Sequence, residues 1–265
     1  DARLSDDQKS VRLKVDLEEG EPIRVERVVF AGLEPLPEAH RHELETRLPL
    51  KAGGALDRSL VQSSREAAID ELKDHGYPTP VVELTESPGS SERLRVITYT
   101  AQPGRPGYFG RIGVQGTASV DERIVRREFT FRPGELFEQG RLRESQRRLY
   151  SMELFNFVNI ETITAPSAAA PPAAEAPDRI ATRVTVTEGK HRKVNFGFGY
   201  GTEERVRGEV DWRHVNFLGG ARTAGVFARY SALDRGVRLN FRQPYFFSPR
   251  HSFGMSAQSW YSDEP

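Results

Sequence analysis

The types and spacing of candidate catalytic and ligand-binding residues restrict the chemistry that the chain can perform. The run Gly197-Phe-Gly-Tyr-Gly201 is as glycine-rich as a nucleotide-binding loop, but no helix follows to offer its N-terminus to a phosphate. His40 and His42 lie two residues apart on a predicted helix and face different directions, which favours a solvated surface over a metal site. The sequence has no cysteine and no Gly-x-Ser-x-Gly nucleophile elbow. We therefore predict a protein that is not an enzyme and has no catalytic residue, cofactor or metal ion.

Charge and hydropathy exclude two further classes of protein. The 265 residues contain 38 Lys and Arg against 38 Asp and Glu, and this zero net charge argues against a nucleic-acid-binding protein. Apolar runs stay well short of the roughly 20 residues that a membrane helix needs. The opening residues, Asp1-Ala2-Arg3-Leu4, lack the apolar stretch of a signal peptide, so we expect the sequence to begin inside a longer protein.

The composition changes near residue 190. Residues 190–265 hold 14 of the 25 aromatic residues, including both tryptophans. This part carries a net charge of +5, whereas residues 1–189 carry a net charge of −5. The chain therefore joins two physically different regions.

A repeat with a period of about 85 residues organises the first region. An alternating strand that ends in a glycine turn occurs at residues 11–20, 94–104 and 180–189, and its final glycines are 84 and 85 residues apart. Between these strands the order β-α-α-β-β occurs twice, and Ser119 and Glu122 have capping-box spacing at the start of one helix. The predicted elements are strands 25–32 and 109–116, helices 38–48 and 120–129, helices 57–74 and 138–151, and strands 81–85 and 157–164.

The connection between the last two strands differs between the two copies. Residues 86–92 form a short loop rich in turn residues, whereas residues 165–177 are an insertion of Ala and Pro. Proline blocks strand pairing and alanine offers little surface to bury. We therefore expect the insertion to be the mobile tip of a hairpin.

From Lys193 onward the polarity alternates with the period of two that is typical of strands. Five strands are predicted, near residues 194–201, 205–217, 221–231, 237–242 and 251–261, with turns at residues 218–220 and 233–236. An apolar face, a polar or glycine face and aromatic residues near the strand ends indicate a membrane β-barrel. A soluble antiparallel sheet covered on one side is the alternative, and it is disfavoured because no covering helix or second apolar sheet follows. Five strands cannot close a barrel, so we expect the chain to continue beyond Pro265.

The glycine-terminated strands, the two β-α-α-β-β units and the Gly197-Phe-Gly-Tyr-Gly201 strand together resemble the BamA/TamA outer-membrane assembly superfamily. Residues 215–220 are similar to the family's turn from asparagine to glycine after its second barrel strand, and residues 241–245 to the end of its fourth. The resemblance implies tandem α+β POTRA (polypeptide-transport-associated) modules followed by an antiparallel transmembrane β-barrel that is truncated after about five strands. The implied boundaries are 1–20 for the end of one module, 21–104 for a complete module, 105–189 for the last module with its loop at 166–177, and 190–265 for the barrel strands.

The resemblance also implies a function and a place in the cell. It predicts an outer-membrane assembly factor that folds and inserts β-barrel proteins, with residues 1–189 in the periplasm. Its partners are unfolded β-barrel clients, periplasmic accessory lipoproteins or chaperones, and outer-membrane lipid, with no nucleic acid. Two other functions stay open: a polypeptide translocator of the two-partner secretion type, and a non-catalytic periplasmic scaffold.

Two sets of residues are predicted to pair with clients through their backbone. The first barrel strand is the gate of a seam that opens sideways, and its alternating glycines weaken packing and register. The gate strand comprises Val194, Asn195, Phe196, Gly197, Phe198, Gly199, Tyr200 and Gly201. The edge strands of the two modules contribute Val81, Val82, Glu83, Leu84, Phe157, Val158, Asn159 and Ile160.

Each of these assignments has a structural alternative. The glycines could instead fit a tight barrel wall or a bulge, and the module edges could merely be protected by their neighbours. The basic residues of the polar face line a lumen or meet lipid headgroups, with phosphate binding as a minor alternative; they are Arg207, Arg213, Arg238 and Arg242.

Overall fold

The computed structural model describes residues 2–4, 11–13, 21–163, 178–248 and 251–263. The chain divides into two compact units, one of Asp1–Leu72 with Thr79–Gly104 and one of Lys73–Pro78 with Arg105–Pro265. The expected strand at residues 11–20 is described only as far as Leu13, and the Ala/Pro insertion at 165–177 lies outside the described residues.

The first unit contains a strand pair and one α+β module. Strand β1 (Ala2–Leu4) pairs antiparallel with β2 (Val11–Leu13). The sheet of the module has the order β3-β5-β4, with β3 parallel and β4 antiparallel to the central β5. The elements of this first module are β3 (Arg24–Ala31), α1 (Glu38–Arg47), α2 (Arg58–Asp74), β4 (Val81–Pro88) and β5 (Leu94–Gln102).

The second unit begins with a module of the same topology. Its sheet has the order β6-β8-β7, again with one parallel and one antiparallel partner beside the central strand. The expected order β-α-α-β-β is therefore present in both modules. The elements of this second module are β6 (Gly107–Gln115), α3 (Glu122–Arg127), α4 (Gln139–Ser151), β7 (Phe155–Ile163) and β8 (Asp178–Glu188).

The two modules share a buried serine that closes the loop before the second helix. Ser64 Oγ accepts a hydrogen bond from the backbone N–H of Leu50 at 3.0 Å. In the second module Ser145 Oγ accepts from the N–H of Thr130 at 2.9 Å. Both serines are fully buried, so each satisfies a backbone donor that would otherwise be unpaired in the core.

The repeated glycine at the end of the first strand has a steric reason. Gly32 and Gly116 have φ angles of +80° and +90°, a region that residues with a Cβ rarely adopt. A Cβ on Gly32 would lie 2.0 Å from the carbonyl oxygen of Ala101, and one on Gly116 would lie 1.9 Å from that of Val186. Glycine at these positions lets the chain leave the sheet in close contact with the central strand.

The prediction of a capping box at the start of α3 is wrong. Asp121 is the N-cap residue, and its side chain accepts a hydrogen bond from the N–H of Arg123 at 2.8 Å. Ser119 is not available as a cap because its hydroxyl donates to the carboxylate of Glu188. The helix is consequently shorter than the predicted 120–129.

Glu188 fastens the end of β8 to the loop before α3. Its carboxylate accepts hydrogen bonds from the N–H groups of Ala118, Ser119 and Val120 at distances of 2.6, 2.8 and 2.9 Å. Burial opposes ionisation of this group. The hydrogen bonds from the Ser119 hydroxyl and the three N–H groups outweigh that effect and lower the pKa of Glu188 to about 2.

Five antiparallel strands follow the second module and form one sheet with the order β13-β12-β11-β10-β9. We call it the C-terminal sheet. The predicted turn at 233–236 is wrong, because Asp234 already pairs with Ser262 and the turn is closed by hydrogen bonds between Ser231 and Asp234. Its strands are β9 (Arg192–Gly201), β10 (Arg205–His214), β11 (Thr223–Tyr230), β12 (Asp234–Gln243) and β13 (Phe253–Ser262).

The register of the C-terminal sheet separates apolar from polar side chains as the alternation predicts. Phe196 is opposite Val210, which is opposite Ala228, and this row continues to Val237. One face is thus largely apolar and exposed, with Phe198 exposed to 85%. The other face carries the arginines Arg207, Arg213, Arg238 and Arg242.

Within the described ranges, none of the helices combines the length and the hydropathy that a membrane span requires.

We expect Gly116→Ala to lower the free energy of unfolding of the second module by about 3 kcal/mol, since the new methyl group meets a backbone carbonyl and the φ angle is unfavourable. Gly113→Ala on the same strand is the matched control, because a Cβ there has no atom within 4 Å. Urea unfolding of the two variants measures the difference. Equal stability of the two would contradict this account of the repeated glycine.

The second module should also lose stability in acid. The folded-state pKa of Glu188 lies below its ordinary value of 4.5, so its contribution is present above pH 4.5 and is lost as the pH falls towards about 2. Glu188→Gln should lower the free energy of unfolding by about 2 kcal/mol at pH 7 and flatten its decline below pH 4.5. Urea unfolding between pH 7 and pH 2.5 tests this, and parallel profiles for both proteins would refute it.

Candidate functional site

Strand β9, the predicted gate strand, lies at one edge of the C-terminal sheet. It pairs with β10, and its other side has no partner strand among the described residues. The pairing runs from Arg192 to Gly201 without a shift in register, so its glycines do not form a bulge. The edge of β9 therefore presents a regular row of backbone groups to any added strand.

The glycines of β9 make room for side chains of β10. A Cβ on Gly197 would lie 2.6 Å from Cγ and Oε1 of Glu209, and one on Gly199 would lie 3.5 Å from a guanidinium nitrogen of Arg207. Both contacts involve side chains rather than backbone, and the φ angles of these glycines are not positive. A larger residue is therefore tolerable at position 199, whereas one at position 197 must displace the side chain of Glu209. At both positions glycine leaves β9 without a side chain to pack, which weakens the strand.

Two like charges face each other at the base of β9 and β10. Lys193 is directly opposite Arg213 on β10, a pairing that is unfavourable by itself. A carboxylate of the second module lies between them: Glu153 Oε2 accepts hydrogen bonds from Lys193 Nζ at 2.8 Å and from Arg213 at 2.9 Å. The Lys193 hydrogen bond and the nearby Arg213 charge lower the pKa of Glu153, although partial burial acts in the opposite direction. We call these three residues the basal ion cluster.

Glu153 occupies an unusual backbone position. It follows the last turn of α4, where Met152 is the C-cap, and its φ angle is +57°. Glycine is the common residue at this position, because residues with a Cβ pay about 1–2 kcal/mol for the left-handed conformation. The carboxylate of the basal ion cluster is therefore held at a site where the backbone favours glycine.

Two turns of the C-terminal sheet also pack on the second module. Residues 215–221 turn back after β10 and bury Val215 and Ala221 in the hydrophobic core of that module, which explains why the strand predicted at 205–217 ends at His214. Tyr245, after β12, donates a hydrogen bond to Glu128 and lies under the guanidinium of Arg127 at 5.2 Å. Burial raises the pKa of Glu128, partly offset by Arg148.

The predicted edge strands β4 and β7 both lie at sheet edges, each beside the central strand of its module. Val82 and Val158 point into the cores, whereas Val81 and Phe157 are exposed, Phe157 to 50%. Glu83 and Leu84 are exposed, and Asn159 and Ile160 are half-buried.

Side chains of the second helix already engage one residue at each edge. Arg65 Nε donates to the carbonyl oxygen of Val82 at 2.6 Å. In the second module Gln146 donates to the carbonyl of Val158 at 2.8 Å, and the hydroxyl of Tyr150 accepts from its N–H at 3.1 Å. Val82 and Val158 occupy equivalent positions, so both edges are covered at the same point.

Comparison with known proteins identifies the module and the fold. Residues 107–189 match the family model for POTRA, the surface antigen variable number repeat. The crystal structure of BamA from Haemophilus ducreyi lacking POTRA domains 1–3 matches with a TM-score of 0.68 and 20% identity over 91% of this chain and 43% of that one. BamA POTRA3–5 from Haemophilus influenzae matches with a TM-score of 0.52 and 19% identity over 71% of this chain and 70% of that one.

Relatives that are similar in sequence agree with these structural matches. The outer membrane protein assembly factor BamA of Neisseria meningitidis is 21% identical over 254 residues, which are 96% of this chain and 31% of the relative. BamA of Nitratidesulfovibrio vulgaris is 25% identical over 205 residues, 77% of this chain and 24% of the relative. Residues 107–189 are thus a POTRA module, and the chain as a whole is similar to members of the BamA/TamA superfamily. It spans about a quarter to a third of the length of these relatives.

Sequence reasoning missed Glu153, Arg65 and Tyr150. The repeat carried a signal for one of the edge contacts, because Arg65 and Gln146 each directly follow the buried serine of their module. A long polar side chain at the same place in both copies indicates a shared contact. Glu153 had no such signal, since its partners are 40 and 60 residues away.

Tyr150→Phe should expose the edge of β7. The variant loses the hydroxyl that pairs with Val158, and one hydrogen bond of about 1 kcal/mol corresponds to about fivefold faster amide exchange at Val158. Ser151→Ala is the control, because its hydroxyl bonds within α4, to the carbonyl of Arg148 at 2.7 Å. Hydrogen exchange resolved by residue measures both, and unchanged protection of Val158 in Tyr150→Phe would contradict the proposed cover.

Proposed function

We propose that this chain is part of an outer-membrane assembly factor that folds and inserts β-barrel proteins. The names of its curated relatives support this proposal, since they are called outer membrane protein assembly factors. The arrangement of the parts is consistent with it: two α+β modules precede an antiparallel sheet of five strands. In this proposal the modules lie in the periplasm and the C-terminal sheet lies in the outer membrane.

The exposed apolar face of the C-terminal sheet supports a position in lipid. Soluble proteins rarely expose an apolar surface that runs across several strands. Here it crosses all five strands, and its opposite face carries charges, the alternation that is typical of barrel walls. We propose that these are the first five strands of a transmembrane barrel. Exposed members of the apolar face are Val194, Phe196, Phe198, Tyr200, Val206, Val210, Tyr230, Val237, Leu239, Met255 and Tyr261.

The edge of β9 is the single feature on which the mechanism depends. When the seam between β9 and the last strand of the barrel opens, β9 offers backbone donors and acceptors to any extended segment, so a client strand can add to it regardless of its side chains. The glycines of β9 let the strand adjust while the new pairing forms, because no side chain of that face must be repacked. Insertion then proceeds by exchange of backbone hydrogen bonds, without a catalytic residue or a cofactor.

The module edges are proposed to receive unfolded clients before insertion. Strands β4 and β7 are exposed at their sheet edges, which permits β-augmentation. An added strand must displace Arg65 from Val82, or Tyr150 and Gln146 from Val158. Binding at these edges is therefore weak and reversible in this proposal, as transfer to the barrel requires. Periplasmic lipoproteins or chaperones are the proposed accessory partners.

Reconstitution of the full-length parent protein in lipid vesicles tests the proposal. We expect the wild type to accelerate insertion of an unfolded client barrel, and the double variant Gly197→Val and Gly199→Val to slow insertion about tenfold, because two valines stiffen β9. Gly199→Val alone separates stiffening from a steric clash, since a Cβ at position 199 has no contact closer than 3.5 Å, whereas one at position 197 lies 2.6 Å from Glu209. Gly208→Val on β10 is the control for a valine on the neighbouring strand, since a Cβ there has no atom within 4 Å. Protease protection of the folded client measures the yield.

The outcomes separate the candidate functions. Insertion at the wild-type rate by the double variant would contradict the role of the glycines. If the wild type does not insert barrels but carries one polypeptide into the vesicle, the parent is a translocator of the two-partner secretion type. If it does neither and only the modules capture periplasmic lipoproteins, the parent is a scaffold.

A further inference from the structure

We propose that Glu153 is a positioning residue that fixes the base of β9, so that the second module determines where the gate strand stays rigid and where it yields. This inference rests on the proposed function, because it assigns a control point to the strand that accepts clients. Glu153 contacts no client in this proposal, and acts through Lys193 and Arg213.

Glu153 neutralises a repulsive pair of charges at the base of β9. Lys193 and Arg213 are directly opposite each other on β9 and β10, and like charges in this position push neighbouring strands apart. Glu153 Oε2 lies 2.8 Å from Lys193 Nζ and 2.9 Å from the Arg213 guanidinium. A single carboxylate therefore converts a repulsive cross-strand pair into two attractive contacts. The side chains are less than half exposed, so solvent screens the cluster only in part.

Glu153 has a backbone conformation that is costly for a residue with a Cβ. Glu153 has a φ angle of +57° at a helix end where glycine fits without strain. The helix itself gains nothing from a glutamate in this position, because a negative charge near a helix C-terminus is unfavourable. Both costs are explained if the carboxylate is needed for its contacts with the C-terminal sheet.

The two ends of β9 differ in how firmly they are held. Its base is fastened by the basal ion cluster, by the hydrogen bond from Gly189 N–H to the Leu154 carbonyl at 2.8 Å, and by the bond from Val215 N–H to the His191 carbonyl at 2.9 Å. The other end contains Gly197, Gly199 and Gly201. A strand that is fixed at its base and carries glycines at its other end yields at that end, so the seam opens there while the base keeps its register.

Glu153→Gln in the full-length parent protein tests the inference. The variant keeps the shape of the side chain but leaves Lys193 and Arg213 facing each other without a counter-charge. We expect amide exchange at residues 193–195 to become about threefold to tenfold faster, from the loss of two partly exposed ion pairs. Exchange at residues 197–201 should change much less. Client insertion should fall about threefold, while the urea midpoint of the second module stays the same.

Glu144→Gln is the matched control. Within α4 the Glu144 carboxylate pairs with Arg147 at 2.7 Å and with Arg148 at 2.9 Å, and its exposure of 39% is close to the 44% of Glu153. The control should leave β9 exchange and client insertion unchanged. The double variant Glu153→Lys and Lys193→Glu restores opposite charges and should recover most of the lost protection and insertion.

Each outcome supports or overturns the inference. Unchanged exchange at residues 193–195 in Glu153→Gln would overturn it, as would an equal loss of insertion in Glu144→Gln or no recovery in the charge-exchanged double variant. The exchange measurement requires no client. If the wild-type protein does not insert barrels, the proposed function fails while the exchange results still decide whether Glu153 fixes β9.

Discussion

Unpaired backbone groups at sheet edges are the constraint that shapes each part of this protein. A strand edge exposes donors and acceptors that attract other strands, so edges are usually covered or shortened. The two modules cover theirs at one equivalent point, with Arg65 on β4 and with Gln146 and Tyr150 on β7. In the C-terminal sheet β9 pairs with β10 in a regular register, and its base carries the basal ion cluster. The proposed insertion by strand pairing requires a difference between edges that stay covered and an edge that the opening of a seam makes available.

The two modules have the same topology because each must meet the same packing requirement. A three-stranded sheet with a parallel pair requires the chain to leave the first strand sharply and cross over the sheet through two helices. Gly32 and Gly116 provide the exit, and Ser64 and Ser145 close the return to the second helix. The second module adds contacts that the first lacks among the described residues: Glu188 holds the loop before α3, and Glu153 reaches the C-terminal sheet.

Contacts between the second module and the C-terminal sheet combine apolar burial with charge. Val215 and Ala221 are buried in the module core, Tyr245 bonds to Glu128, and Glu153 neutralises two basic residues. Burial holds the turns in place without a requirement for direction, whereas the ion cluster acts at one specific point of one strand. The apolar face of the sheet meanwhile stays exposed, which accords with the proposed position in lipid.

The sequence by itself determined the order of the elements, the period of about 85 residues and the two faces of the C-terminal sheet, because alternation, helical spacing and glycine turns are local properties of the chain. It also placed β4, β7 and β9 as strands, while the predicted ends of α3 and β10 and the predicted turn before β12 were wrong. Those ends depend on side chains that meet across the fold: Ser119 with Glu188, and Val215 with the module core. Only the tertiary structure decided that Glu153 lies between Lys193 and Arg213, since residues 40 and 60 positions apart become neighbours through packing that no local pattern encodes.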